Sequence, residues 1–223
     1  MAHFIPKETH TEFHPLVALA PKSSSFESGT SFNWLQCCIY WVRCRKHIEE
    51  KKELHNQALE LVKFLCNVLC DEIADSNNSK AKKIFELALF QATSLGIIEI
   101  VEEILKSYPD AIYLVNEDNP SIFHQATKCR HAKVFNLIHQ VGESRTIFLS
   151  QSDKLKNNAL HLAGKLAPQQ QLNLKAGAAL QMQRELQWFK KVEKLAPQRS
   201  QEERNGGSRG PCCGITTAVT AVD

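Results

Sequence analysis

The chain has no long apolar run. A membrane-crossing helix needs about 20 consecutive, predominantly apolar residues. The longest run here, Trp34 to Val42, is shorter and is interrupted by Gln36, so the sequence predicts no transmembrane segment. A secretory leader is also missing: the N-terminus carries His3, Lys7, Glu8 and Glu12, and Val17 to Ala20 is too short for an apolar leader core. Charge of one sign is not in excess either. The 27 basic and 24 acidic residues leave a net charge of +3, too balanced a surface for nucleic acid or an acidic membrane. Aromatics make up 8% of the chain and are not grouped on strands, which removes the usual base-stacking platform. The glycine-rich stretch Gly206-Gly207-Ser208-Arg209-Gly210 lacks the spacing of a phosphate-binding loop, and no strand precedes it.

Cysteine is plentiful but not arranged for redox or metal chemistry. The eight residues are Cys37, Cys38, Cys44, Cys66, Cys70, Cys129, Cys212 and Cys213, with no Cys-x-x-Cys among them. Without a leader, a reducing cytoplasmic setting and mostly free thiols are expected. Cys66 and Cys70 are four apart on an expected helix, but a structural zinc site needs four ligands, usually in close pairs. His47 and His55 do not form a second pair, so small core residues are the expected role of both thiols. Cys37 and Cys38, beside Trp34, Tyr40 and Trp41, could carry acyl chains or simply form an apolar patch on the first long helix. The packed patch is the favoured reading. No metal and no cofactor is expected.

Hydrophobic residues at 43% and charged residues at 23% are ordinary for a globular chain. Composition divides it into a disordered and apolar N-terminal segment (1–44), a capping-helix region (45–79), a central part (80–197) and a disordered tail (198–223). Pro6, Pro15, Pro21 and Ser23-Ser24-Ser25 interrupt periodicity across residues 1–30. In the second region Leu54, Ala58, Leu61, Leu65, Val68 and Leu69 recur at helical steps and predict one apolar stripe. Ala176 to Leu195 predicts a long helix with Leu180, Leu186, Phe189, Val192 and Leu195 on its apolar face.

The centre repeats itself. Leu87-Ala88-Leu89-Phe90-Gln91-Ala92-Thr93-Ser94-Leu95-Gly96 aligns with Ser121-Ile122-Phe123-His124-Gln125-Ala126-Thr127-Lys128-Cys129-Arg130. A third line, Asn158-Ala159-Leu160-His161-Leu162-Ala163-Gly164-Lys165-Leu166-Ala167, follows. Ala92, Ala126 and Ala163 are 34 and 37 residues apart. After the first line Ile97, Ile100, Val101, Ile104 and Leu105 predict an amphipathic second helix. Val134, Phe135 and Ile138 take the same places after the second. The lines resemble the ankyrin signature Thr-Pro-Leu-His-x-Ala-Ala-x-x-Gly, whose period is about 33 residues. The resemblance implies an all-α fold, an ankyrin-repeat α-solenoid of helix-turn-helix units joined by short hairpin loops, with flanking helices. It assigns His124, Ala126, His161, Ala163 and Gly96 as structural signature positions, the two histidines bracing hairpins by hydrogen bonds to backbone. It places hairpins at Asn116-Glu117-Asp118-Asn119-Pro120 and Asp153-Lys154-Leu155-Lys156-Asn157. Asn119 and Lys156 stand where glycine is usual, Phe90 replaces the first histidine and Arg130 replaces a glycine. Pro120 pushes Asn119 towards extended backbone, and a left-handed Lys156 is sterically costly, so both hairpins are expected to be distorted.

Two further blocks sharpen the match. Asn158 through Pro168, together with Gly177-Ala178-Ala179-Leu180-Gln181-Met182-Gln183-Arg184-Glu185-Leu186-Gln187-Trp188-Phe189, resemble the plant ankyrin-repeat proteins that carry a C-terminal PGG membrane domain, the accelerated-cell-death type. Members act in stress and defence signalling at the plasma membrane. The resemblance covers roughly Leu54 to Pro197, and nothing like the family follows. It implies a protein-interaction module, the cytosolic portion of such a membrane-associated protein, with unknown protein partners and no catalytic residue. The competing expectation is a truncated fragment, or the product of an altered reading frame, without function of its own. The candidate partner-binding residues are Asn116, Glu117, Asp118, Asn119, Asp153, Lys154 and Lys156, at the hairpin tips of a concave surface. No Asp, Cys or Ser stands near His124 or His161 with the spacing of a triad or dyad. Trp188 and Phe189 are expected to be core or capping contacts.

Overall fold

The computed structural model describes residues 14–22, 25–26, 45–76, 79–116, 120–172 and 177–202. Among them the chain is all-helical, with no strand. It divides into two compact units, Met1–Ile112 and Tyr113–Asp223.

The first unit contains α1 (Pro15–Leu19), α2 (Arg45–Ser76), α3 (Ser79–Leu95) and α4 (Ile98–Ser107). The sequence reading leaves residues 15–26 without regular structure, yet α1 forms there. Pro15 sits at the first helical position, where its missing N–H is no loss, and the His14 Nδ1 accepts from the Leu16 N–H at 3.2 Å. The helix holds because Leu16, Ala20 and Phe26 are buried, with α1 packed on α2 and α3.

In α3 the residues Phe85, Ala88, Leu89 and Ala92 recur at i, i+3, i+4 and i+7 and are all buried, which is the register of one helix face. Ile97, Ile100, Val101 and Ile104 do the same along α4. Phe85 stacks on Tyr108 at 5.6 Å between ring centroids. The long helix α2 packs on α4 through a face that shares only Leu69 fully with the expected stripe and adds Val62 and Cys66. Val62, Cys66 and Leu69 are buried, whereas Leu54, Leu61 and Val68 are 51%, 45% and 38% exposed. The helix carries apolar residues on two sides, and its neighbour selects the Val62–Leu69 side.

A 3-10 turn, Pro109–Tyr113, spans the boundary between the units. The second unit then runs α5 (Ile122–Cys129), α6 (Ala132–Asn136) continuing as the 3-10 turn Leu137–Gln140, α7 (Ser144–Ser150), α8 (Ala159–Gly164), α9 (Gln169–Leu172), α10 (Ala178–Glu193) and α11 (Gln198–Glu202). Helix α8 packs on α5, α7 and α10. Phe123 meets Phe148 at 5.3 Å and Phe135 meets Trp188 at 5.3 Å. Trp188, Phe189 and Val192 are the buried residues of α10, while Leu180 at its start is exposed.

Two closures have the same geometry 34 residues apart. Gly96 has φ 75°; its N–H donates to the Thr93 carbonyl at 3.2 Å, and the Ile97 N–H donates to the Ala92 carbonyl at 3.0 Å. Arg130 has φ 62°; its N–H donates to the Thr127 carbonyl at 3.3 Å, and the His131 N–H donates to the Ala126 carbonyl at 3.0 Å. This pair of bonds is the Schellman closure, which satisfies carbonyls that a helix end leaves open. The third line departs from it: α8 ends at Gly164 and Lys165 is extended.

Candidate interaction groove

The site begins with three short-range devices in the second unit. The first is the loop at 153–157. Asp153 N–H donates to the Asn157 carbonyl and Lys156 N–H to the Asp153 carbonyl, both at 2.9 Å. The Asp153 carboxylate accepts from the Leu155 N–H at 2.8 Å, from the Asn157 N–H at 2.7 Å and from the Asn157 side-chain amide at 2.8 Å. Burial raises the affinity of this carboxyl for a proton. The bonds from Asn157 and Leu155, with the nearby charge of Lys165, outweigh that and hold it below its ordinary value. Lys156 completes the turn at φ 59°. Lys156 thus adopts the left-handed conformation that is costly for a residue with a Cβ, and the Asp153 carboxylate holds the turn there. Of the other tip, Glu117, Asp118 and Asn119 lie outside the described residues, and Asn116 is half-buried.

The second device is a pair of capped helix starts. Ser121 Oγ accepts from the His124 N–H at 3.4 Å and lies 2.8 Å from His124 Nδ1. Asn158 Oδ1 accepts from the His161 N–H at 3.0 Å, and the Asn158 N–H donates to His161 Nδ1 at 3.2 Å. Both arrangements satisfy N–H groups that a helix start leaves open. His124 goes further. Its Nε2 lies 2.8 Å from the carbonyl of Gln151. A carbonyl only accepts, so Nε2 carries the proton and Nδ1 receives the Ser121 hydroxyl. The fully buried ring thus joins the start of α5 to the chain entering the 153–157 loop. Burial, only partly opposed by the Gln151 bond and the Asp153 charge, lowers its pKa from 6.5 to about 4, so the imidazole is neutral at physiological pH. Ala126 and Ala163 are buried among these helices.

Arg130 is the third device. Its guanidinium donates to Glu185 at 2.7 Å, to the carbonyls of Thr127 at 2.7 Å, Leu162 at 3.4 Å and Ala163 at 3.2 Å, and to the carbonyl of Lys165. One side chain thereby caps the ends of α5 and α8 and ties α10 to both. Charge-assisted bonds of this kind are about twice as strong as neutral ones. They offset the roughly 1–2 kcal/mol of a left-handed, non-glycine backbone. The sequence marks Arg130 only as a departure from the repeat; nothing local reveals its partner Glu185, which lies 55 positions further along.

The second unit also contains a groove of about 710 Å³, lined by Lys128, Asp153, Lys154, Leu155, Leu162, Lys165, Leu166 and Pro168. It lies between the 153–157 tip and the ends of α5 and α8. Leu155 and Leu166 are 68% and 53% exposed there. Two sequence-nominated residues, Asp153 and Lys154, fall in its wall. Lys128, Leu162, Lys165 and Leu166 were not nominated, because only the fold brings the helix ends against the loop. A smaller cleft of about 240 Å³ beside Arg130 and Trp188 holds the Arg130–Glu185 pair.

Among the described residues no three His, Cys, Asp or Glu side chains are grouped to hold a metal ion, and no described helix is long and apolar enough to cross a membrane. Cys66 is buried, and burial pushes its thiol up to about 12. Cys70 donates to the Ser107 carbonyl at 3.3 Å. The Cys37–Cys38 patch and the glycine-rich stretch at 206–210 lie outside the described residues. No family model, no curated protein and no solved structure matches this chain.

Proposed function

We propose that this chain is an ankyrin-type protein-interaction module, similar to the cytosolic portion of plant PGG-type signalling proteins, and not an enzyme. The observation that carries the reading is the groove between the 153–157 tip and the ends of α5 and α8, two helices that occupy corresponding places in successive repeat lines. Support comes from the matching closures at Gly96 and Arg130 and from His124, which links one repeat line to the loop that opens the next. Repeat proteins bury their faces against neighbours and leave such tips and inner helix ends for partners. The described signature histidines have bracing roles in this reading: His124 has both ring nitrogens engaged, and His161 is held in the cap of α8.

The test is affinity capture with the full chain and with a Leu155→Asp/Leu166→Asp variant. Both leucines are exposed, so the variant keeps its helical circular dichroism. A partner captured by the parent and lost by the variant fits the proposal. Equal capture by both refutes the groove as the docking surface.

A further inference from the structure

We propose that this groove takes an acidic peptide segment with apolar anchors, an inference that rests on reading the groove as the docking surface. Its wall contains three lysines, Lys128, Lys154 and Lys165, against a single carboxylate, Asp153. That carboxylate is already committed: it accepts two backbone N–H groups and the Asn157 amide within its own loop. It holds the tip closed and keeps its charge, which acts on the nearby Lys165, so it offsets only part of the positive charge of the lysines. Lys128 and Lys165 are exposed, and neither forms a salt bridge with a described residue. The groove therefore presents an excess of positive charge on a chain that is otherwise nearly balanced at +3.

The same wall also carries apolar surface. Leu155 and Leu166 are exposed in the same groove, with Leu162 and Pro168 beside them. A ligand matching both features places glutamate or aspartate near the lysines and leucine-like side chains between Leu155 and Leu166. The volume, about 710 Å³, lies within the roughly 300–1,000 Å³ of ordinary ligand clefts. It suits a short stretch of polypeptide better than a folded surface. Charge complementarity of this kind selects partners and speeds their encounter, and it weakens as salt shortens the screening length to about 8 Å near 0.15 M.

The experiment is fluorescence anisotropy on the full chain with a labelled peptide of alternating glutamate and leucine. Lysine–leucine and serine–leucine peptides serve as controls. The glutamate peptide is expected to bind best and to weaken as salt is raised. Lys128→Glu with Lys165→Glu should weaken it by roughly tenfold or more, as attractive rim contacts become repulsions. The same double variant should gain affinity for the lysine peptide. If all three peptides bind alike and only Leu155→Asp/Leu166→Asp abolishes binding, the acidic preference is wrong while the docking reading stands. If no peptide binds and groove variants leave partner capture unchanged, both fail. A concentration-dependent dimer in sedimentation that the lysine variants dissociate would also overturn the proposal, because the groove would then belong to a second copy.

Discussion

Acidification should destabilise this protein through one buried ring. His124 is fully buried and its pKa falls from 6.5 to about 4. In the unfolded chain the same imidazole binds its proton near 6.5. Between these values the unfolded state holds a proton that the folded state refuses, so stability falls as pH drops. The loss begins near pH 6.5 and is complete below about pH 4. Each tenfold difference in proton affinity is worth about 1.4 kcal/mol, so the whole drop amounts to about 3 kcal/mol. Asp153 also has a lowered pKa and contributes in the same direction, but it titrates below its ordinary value of 3.8 and so mostly beneath this window. Urea denaturation followed by circular dichroism at successive pH values gives the profile, and the ring signals of His124 in NMR give its titration directly. His124→Gln keeps an amide to face the Gln151 carbonyl without a charge to acquire. It should start less stable by about 1 kcal/mol and lose less between pH 6.5 and 4. A His124 titration midpoint near 6.5 in the folded protein, or equal losses in parent and variant, would refute the reasoning.

Three further perturbations follow from the same geometry. Lys156→Gly should stabilise the chain by about 0.5–1 kcal/mol, because glycine adopts the left-handed conformation at 156 without a Cβ clash; thermal melting should shift upwards by roughly 2–4 °C per kcal/mol. Arg130→Ala should cost about 3 kcal/mol, since it leaves the carboxylate of Glu185 and the carbonyls of Ala163 and Lys165 without their guanidinium donor. Arg130→Gly should cost about 1 kcal/mol less than the alanine variant, as it relieves the backbone while losing the same bonds; denaturant titration of the pair decides this, and equal losses would mean that the backbone at 130 is unstrained. Native alkylation with iodoacetamide at mild alkaline pH should spare Cys66, whose thiol is pushed up to about 12 by burial, and peptide mass spectrometry should find it modified once urea is added.

How much of this was legible beforehand varies residue by residue. The register of α3 and α4 could be read directly, because Phe85, Ala88, Leu89 and Ala92, then Ile97, Ile100, Val101 and Ile104, repeat with the helical period and are buried. The caps at Ser121 and Asn158 could also have been read, since each is a short polar residue three positions before a histidine. The turn at Asp153–Asn157 is legible from its short polar residues, but the bonds by which Asp153 holds Lys156 in a left-handed conformation are seen only in the structure. The stripe on α2 is buried only in part, at Leu69. Leu54, Leu61 and Val68 are as periodic as Val62 and Cys66 with Leu69, and periodicity has no means of saying how far round the helix a neighbour's cover extends.

The sequence by itself determined local quantities: the register of the strongly periodic helices, the caps at Ser121 and Asn158, and that a motif returns after 34 residues. Those depend on backbone dihedrals and on neighbours within a turn or two, all of which are written in consecutive residues. The tertiary structure alone decided which apolar face is buried, that Arg130 holds Glu185 and the end of α8, and that Lys128 and Lys165 face the Asp153 loop across one groove. These depend on distances between residues far apart in the chain, and such distances exist only once the helices have packed.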